Sequence, residues 1–477
     1  MSQKTPYASS FLLKKASITD VKGSKNLDIT DLVIRFDYFE NISLPTVSAN
    51  LTLVDTGANL ISSLPIQGFE KVELILEASD EETYKYNMRV YKIGSRFSGD
   101  RFQTYTLGLI SEEALLNEGI RVSKTLKGKP DEIVRDLLKQ YLKTDKDVIV
   151  DPSVYNIIFN PGKKSPFNII DSIKLKSVPT GGNIQSKTNL KIPKFNPIAA
   201  VTDVLSSVSP TAKSDYSKTK GTSGYMFFEN RSGFIFKSID SLCSSTKYNG
   251  SKAVAIYTQE NNDVGGPPNR KIIDIDFVEE LDIMTKLRMG AFSSLICFYN
   301  YSTGKYEEYV YSLADSYESM GHSGSQKGLP YGQKELSKYP TRIMSALIDH
   351  ETWYNGTDIA SPEESDGAKK STTNFPDFQK YYMSQSIARV NSLVNQKVKI
   401  TVTGNPKLTI GDKIEIRIPN QIPSGDRLQQ QYDPEHSGVY LISEINHVFI
   451  PKERLSTTFL TLIRDSYGSP DSTSKVQ

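Results

Sequence analysis

The chain has 477 residues, 38% hydrophobic and 23% charged, with a formal net charge of +2. That length exceeds one ordinary core and predicts about two to four domains, while the near-balance of charge gives no long-range field that by itself argues for nucleic acid. Two cysteines, Cys243 and Cys297, cannot make a disulfide framework, and no run approaches the roughly 18 apolar residues of a membrane span, so a reducing cytoplasm and no membrane insertion are expected.

The first β-rich block runs from about Leu27 to Ile110. Its runs LDITDLVIRFDYFE, SANLTLVDT, KVELILEAS, YKYNMRVYKIGS and QTYTLGLIS are rich in β-branched and aromatic residues and are broken by Asp-Thr-Gly, Ser-Asp and Ser-Gly-Asp. Five strands so close together predict a barrel or a two-layer sandwich. After it, Pro130 suits the first position of a helix, Asp131 and Glu132 its positive end, and Lys139 and Lys143 the other end. Ile133, Leu137 and Tyr141 recur every four residues, as do Val134, Leu138 and Leu142, which makes this an amphipathic helix packed on a core.

From Ser177 to Gly224 the composition shifts to Ser, Thr, Lys, Pro and Gly, with one short helix signal after Asn196-Pro197. The stretch reads as a surface loop or partly disordered insertion. Order resumes in YMFFENRSGFIFKSIDSL, where two aromatic runs flank the turn Asn230-Arg231-Ser232-Gly233, with glycine where a positive φ is needed. A second hairpin is expected in AFSSLICFYN and YEEYVYSL, turning at Ser302-Thr303-Gly304. Polar connections follow at about Glu318 to Lys334 and Asn355 to Thr373.

The last block begins with the helical run FQKYYMSQSIARVNSLV and continues into a second β-rich region, about Val394 to Leu462. Ile410-Gly411-Asp412 precedes the alternating strand Lys413 to Ile418, and HSGVYLISEINHVFI and TTFLTLIRDSY close the sheet. Gly468 to Gln477 reads as a disordered tail. The fold class expected is β-rich α+β and multidomain, with two tube-type barrel or sandwich domains and a mixed α+β middle region. The boundaries expected are 1–116, 117–255 with an insertion at about 179–223, 256–390, 391–467 and the tail 468–477. Residues 256–390 fold as a mixed region or add strands to the second barrel.

Chemistry is sparse. None of His322, His350, His436 and His447 shows metal-ligand spacing with a second His or Cys; His436 and His447 lie eleven apart, a weak case for a shared metal. No P-loop, G-x-S-x-G or G-x-G-x-x-G is present. The acidic pairs Glu279-Glu280, Glu307-Glu308 and Glu363-Glu364 diverge on either a strand or a helix, so a solvated surface is the better reading than a facing acid and base. Catalytic, cofactor and metal residues are accordingly assigned as none.

Three segments carry a resemblance. GYMFFENRSGFIFKSIDSL at Gly224 to Leu242 resembles the matching segment of central baseplate hub proteins of T-even-like contractile-tailed phages. ISLPTVSANLTLVDTGANLISSLPIQGFEKVELIL at Ile42 to Leu76 is similar to their first barrel, and GNPKLTIGDKIEIRIP with SGVYLISEINHVF to their second. The resemblance covers most of the chain in order, apart from Pro179 to Gly224 and Met320 to Thr373.

It implies a structural subunit of the virion's baseplate. Such a subunit is a homotrimer in which each chain supplies two similar barrels to a pseudo-sixfold ring. The implied partners are the central spike, the tail tube or its initiator, and the tape-measure protein, with a channel for DNA and no sequence-specific nucleic-acid binding. Lys413 to Ile418 and Lys71 to Leu76 are the strands expected to form the ring. Two other readings stay open: a tail-tip cell-wall hydrolase, and a receptor- or carbohydrate-binding tail protein using the loops Gly321 to Gly332 and Asn355 to Gly367. The second would usually show repeats, and no repeat period is visible in the sequence.

Overall fold

The computed structural model describes residues 10–55, 66–78, 82–99, 102–153, 157–174, 177, 223–243, 253–259, 271–279, 282–300, 304–317, 320–324, 329–348, 375–419, 432–433 and 435–466. The helix signal after Pro197, His350, the pair Glu363-Glu364, the connection Asn355 to Thr373 and the tail from Gly468 lie outside these residues.

The first unit contains β1 (Phe11–Thr19), β2 (Asn26–Asp28), β3 (Val33–Asn41), β4 (Ser48–Asp55), β5 (Lys71–Ala78), β6 (Thr83–Ser98) and β7 (Gln103–Ile110), in the order β3-β4-β7-β6-β5-β1-β2. Alternation places Val72, Leu74 and Leu76 of β5 and Tyr105, Leu107 and Leu109 of β7 in one core. The five expected strands are present. β1 was not expected, because a bulge between Leu13 and Lys15 breaks its period of two.

A middle α/β unit follows: α1 (Glu112–Gly119), β8 (Leu126–Gly128), α2 (Pro130–Asp136), β9 (Asp147–Val150), β10 (Ile157–Phe159), α3 (Pro166–Lys174), β11 (Tyr225–Asn230), β12 (Gly233–Ser238) and α4 (Ile239–Cys243). The expected amphipathic helix is α2, which widens into a π turn over Leu137–Tyr141. Its Val134, Leu137 and Leu138 pack with Ile169 and Ile170 of α3. The hairpin β11–β12 forms as the sequence implied, with Gly233 at φ 140°. Both of its faces are buried: Phe227 and Phe234 enter the middle core, and Phe228 and Ile235 enter the core of the next unit.

That second β unit is built from β13 (Ala255–Thr258), β14 (Ile272–Glu279), and later β18 (Gln396–Thr403), β19 (Lys413–Arg417), β20 (Gly438–Ile450) and β21 (Leu455–Arg464), in the order β14-β18-β21-β20-β19-β13. Between β14 and β18 the chain leaves to form α5 (Ile283–Met289), β15 (Ser293–Asn300), β16 (Lys305–Ser312), α6 (Leu313–Ser316), α7 (Tyr331–Leu336), β17 (Arg342–Ile348) and α8 (Phe375–Ser392). β15 and β16 are the second expected hairpin, and β17 joins β15 in parallel.

The two β units repeat one topology. In each, four strands a, b, c and d, numbered along the chain, lie in the order a-b-d-c: β3, β4, β6 and β7 give β3-β4-β7-β6, and β14, β18, β20 and β21 give β14-β18-β21-β20. In each, one strand just before c pairs with its first half, β5 with β6 and β19 with β20.

The units are fused edge to edge. The second half of β20, Glu444–Phe449, pairs antiparallel with Asn41–Phe36 of β3, so one hydrogen-bonded sheet runs through both. The cores exchange side chains at this seam. Phe449 of β20 lies in the first core with Phe11, Phe36 and Tyr86, and Ile42 just after β3 lies in the second with Ile442 and Ile445.

Candidate assembly surface at the junction of the two β units

The hairpin tip fits the seam. Glu40 of β3 falls on the core face with Phe36 and Tyr38, and its carboxylate accepts from the backbone N–H of Arg231 at 2.7 Å, the N–H of Ile410 at 3.0 Å and the Tyr38 hydroxyl at 3.1 Å. Burial pushes this carboxyl up to about 7, against the pull of those donors and the Arg231 guanidinium. Arg231 also lies 4.4 Å above the Tyr84 ring of β6 and donates to the Pro406 carbonyl. One turn thus touches β3, β6 and the loop before β19.

A second buried carboxylate fastens the hairpin's other flank. Glu229 of β11 accepts from the Val47 N–H at 3.1 Å and from Lys146 at 2.6 Å; Lys146 also meets Glu113 at 2.6 Å. Burial raises the Glu229 carboxyl, opposed by Lys146. The Lys146 ammonium is disfavoured by burial, yet its two carboxylate neighbours raise it overall. A buried charge with a hydrogen-bonded partner is retained, and one without would cost several kcal/mol.

A third cluster ties α8 and the 320–324 loop to the end of β21. Arg389 of α8 meets Asp465 at 2.8 Å, both fully buried, and donates to the Gly321 carbonyl. Asp465 also lies 2.8 Å from His322 Nδ1 and accepts from the Ser323 hydroxyl at 2.7 Å. Burial alone would raise Asp465, but Arg389 and then His322 hold it well below the usual carboxylate range.

Ser, His and Asp are gathered here in the wrong order for nucleophilic catalysis. The hydroxyl goes to Asp465 rather than to the imidazole, His322 Nε2 faces the Tyr317 carbonyl at 2.9 Å, and Ser323 is fully buried. The arrangement acts as a clamp, and it occupies the start of the Gly321 to Gly332 loop considered above for ligand binding.

The two histidines weighed as a metal pair are far apart. His436 precedes β20 and lies 2.6 Å from Asp433, while His447 sits near the other end of that strand, buried between Thr458 Oγ1 and the Leu408 carbonyl. A strand rise of ~3.3 Å per residue separates them by roughly 30 Å, so they cannot share an ion. Among the described residues no group of three His, Cys, Asp or Glu could hold a metal. Cys243 is buried in the second core and Cys297 is half-buried on β15.

The strands expected to form a ring require correction. β5 is flanked by β1 and β6, and β19 by β20 and β13, so both edges of each are already used within the chain. The residues that fix the junction, Glu40 and Arg231, were missed. Their signal was present: Glu40 is a charge at period two with Phe36 and Tyr38, on the apolar face of its strand.

No protein-family model matches the chain, and no curated protein does. Among solved structures it is similar to the tail protein from Neisseria meningitidis MC58, at 12% identity and TM-score 0.49 over 97% of this chain and 99% of that one. It is similar to the prophage MuSo2 43 kDa tail protein from Shewanella oneidensis, at 9% identity and TM-score 0.46 over 97% and 100%. It is also similar to the E. coli c3393 protein, described as a component of the type VI secretion system, at 10% identity and TM-score 0.37 over 96% and 78%.

Proposed function

We propose that this protein is a structural subunit of a phage tail: the baseplate hub of a contractile tail, which joins the tube to the central spike as a trimeric, pseudo-sixfold ring. The carrying observation is the internal repeat. One chain holds two copies of the a-b-d-c unit, fused through β20 and β3. Three chains then present six equivalent units toward a sixfold tube while remaining threefold toward a spike. The described residues of the hub-like segments support the reading, with those of Ile42 to Leu76 in the first unit, the hairpin at the seam and those of the C-terminal segment in the second unit. The buried carboxylates hold units together, a role that requires no turnover, so the protein is read as a non-enzyme. A place in the virion baseplate and contacts with spike, tube and tape-measure proteins follow from the same reading.

Light scattering over a range of concentrations, followed by negative-stain imaging, tests it. A mass of three chains and a six-lobed ring are expected. A strict monomer at every concentration would overturn the reading. Peptidoglycan lysis in a gel overlay would favour a hydrolase, and binding to whole host cells would favour an adhesin.

A further inference from the structure

The seam inside the chain is a template for a seam between chains. In the second unit β20 is divided: Gly438–Leu441 pairs with β19, a bulge falls at Ser443, and Glu444–Phe449 pairs with β3. Its equivalent in the first unit, β6, is divided in the same way. Thr83–Arg89 pairs with β5 and a bulge falls at Tyr91, but from Lys92 to Ser98 the strand pairs only with β7, with a second bulge between Ile93 and Arg96 that β20 lacks. Among the described residues, the edge corresponding to the one that β20 offers to β3 is empty.

The complementary edge is also present. β14 is the second unit's equivalent of β3, and beyond β18 its outer edge meets only a bridge between Lys271 and Thr258 among the described residues. We propose that β6 of one copy adds to β14 of the next, so that the pairing seen between β20 and β3 recurs between chains and closes the ring. This rests on the trimeric reading above and names its contact.

Two independent features agree. The path β14-β18-β21-β20-β3-β4-β7-β6 is antiparallel at every step and has eight strands, so β6 and β14 run in opposite directions. A copy rotated about an axis along the strands therefore meets β6 antiparallel, and the sheet continues unbroken. Next, both edges carry uncovered apolar side chains: Tyr91, Ile93 and Phe97 are 49%, 41% and 65% exposed, and Ile273 and Val278 are 60% and 44% exposed. A long apolar edge left open is a pairing site.

Equivalence also sets the register. Phe97 faces Thr104 of β7 as Val448 faces Thr457 of β21, and Asp276 faces Lys399 of β18 as Asp37 faces Asn50 of β4. Val448 stands opposite Asp37, so Phe97 stands opposite Asp276 of the neighbouring copy.

The test is made in the full chain with Cys297→Ser. Phe97→Cys with Asp276→Cys, oxidised by diamide, should give a covalent trimer on a non-reducing gel, and Phe97→Cys with Ile273→Cys much less. Phe97→Asp, which sets a second carboxylate opposite Asp276, should raise the concentration at which trimers dissociate at least tenfold, and Phe97→Lys should not. A wild-type trimer that neither cross-links nor responds to Phe97→Asp overturns this contact and leaves the hub reading standing. A wild-type monomer overturns both.

Discussion

The backbone N–H of Arg231 donates to the Glu40 carboxylate at 2.7 Å, which pins the tip of the β11–β12 hairpin to the strand that fuses the two β units. Glu40 is fully buried, and on the same seam His447 stands opposite Tyr38, whose hydroxyl also reaches Glu40. A carboxyl raised to about 7 and an imidazole lowered by burial to about 4 thus share one interface.

These two groups should give stability slopes of opposite sign. For Glu40 the folded state holds its proton more tightly than the unfolded state, so its contribution is present below about pH 4.5 and lost as pH rises toward 7. For His447 the unfolded state binds the proton first, so stability is lost as pH falls from about 6.5 to 4. Relative to wild type, Glu40→Gln should make stability rise more steeply with pH between about 4.5 and 6.5, and His447→Gln should make it fall, each by a few kcal/mol across the window. Urea melts at three pH values decide it; parallel curves for all three proteins would remove the argument.

Gly233→Ala should unseat the hairpin. The residue has φ 140°, and an added Cβ would lie 2.2 Å from the Asp147 carbonyl oxygen of β9. A loss of at least ~2 kcal/mol is expected, with faster hydrogen exchange in β9 and β12 before the first unit is affected. Unchanged thermal stability would contradict this placement.

Phe449→Ala removes a ring that the second unit contributes to the first core, at a cost of about 3–5 kcal/mol. Because β3 and β20 share that seam, exchange protection should fall in β5 of the first unit as well as in β21. Loss confined to β21 would mean that the units open independently.

Asp465→Asn leaves the buried Arg389 only the longer contact to Asp240, at 3.5 Å, and should cost about 3 kcal/mol. Asp465 is depressed, so its contribution is present above the ordinary carboxylate range and lost only as pH falls through it. The penalty measured by denaturant should therefore be the same at pH 6 and pH 8. Replacing the pair by Arg389→Met with Asp465→Leu should cost less than the single change, since no fully buried charge is orphaned and the part-exposed Asp240 keeps the Gly321 N–H at 3.0 Å.

Much of the fold was legible in the sequence because alternation is local. Lys71 to Leu76 and Lys413 to Ile418 read as strands from their side chains alone, and Asn230 to Gly233 read as a turn from its glycine. The bulged β1 and the π turn after α2 were not legible, since both depart from the regular periods. The repeat was hidden as well. The second unit is interrupted between β14 and β18 by the α5–α8 insertion, so no fixed spacing survives in the chain.

The sequence by itself determined where the regularly alternating strands lie, because side chains alternate at period two and differ in polarity. Only the tertiary structure decided which edges meet. Edge pairing uses the backbone N–H and C=O that nearly every residue carries, so nothing local distinguishes the occupied edges of β5 and β19 from those of β14 and the second half of β6, which have no strand partner among the described residues. β3 and β20 lie some four hundred residues apart in the chain, and their pairing follows from the folding of everything between them.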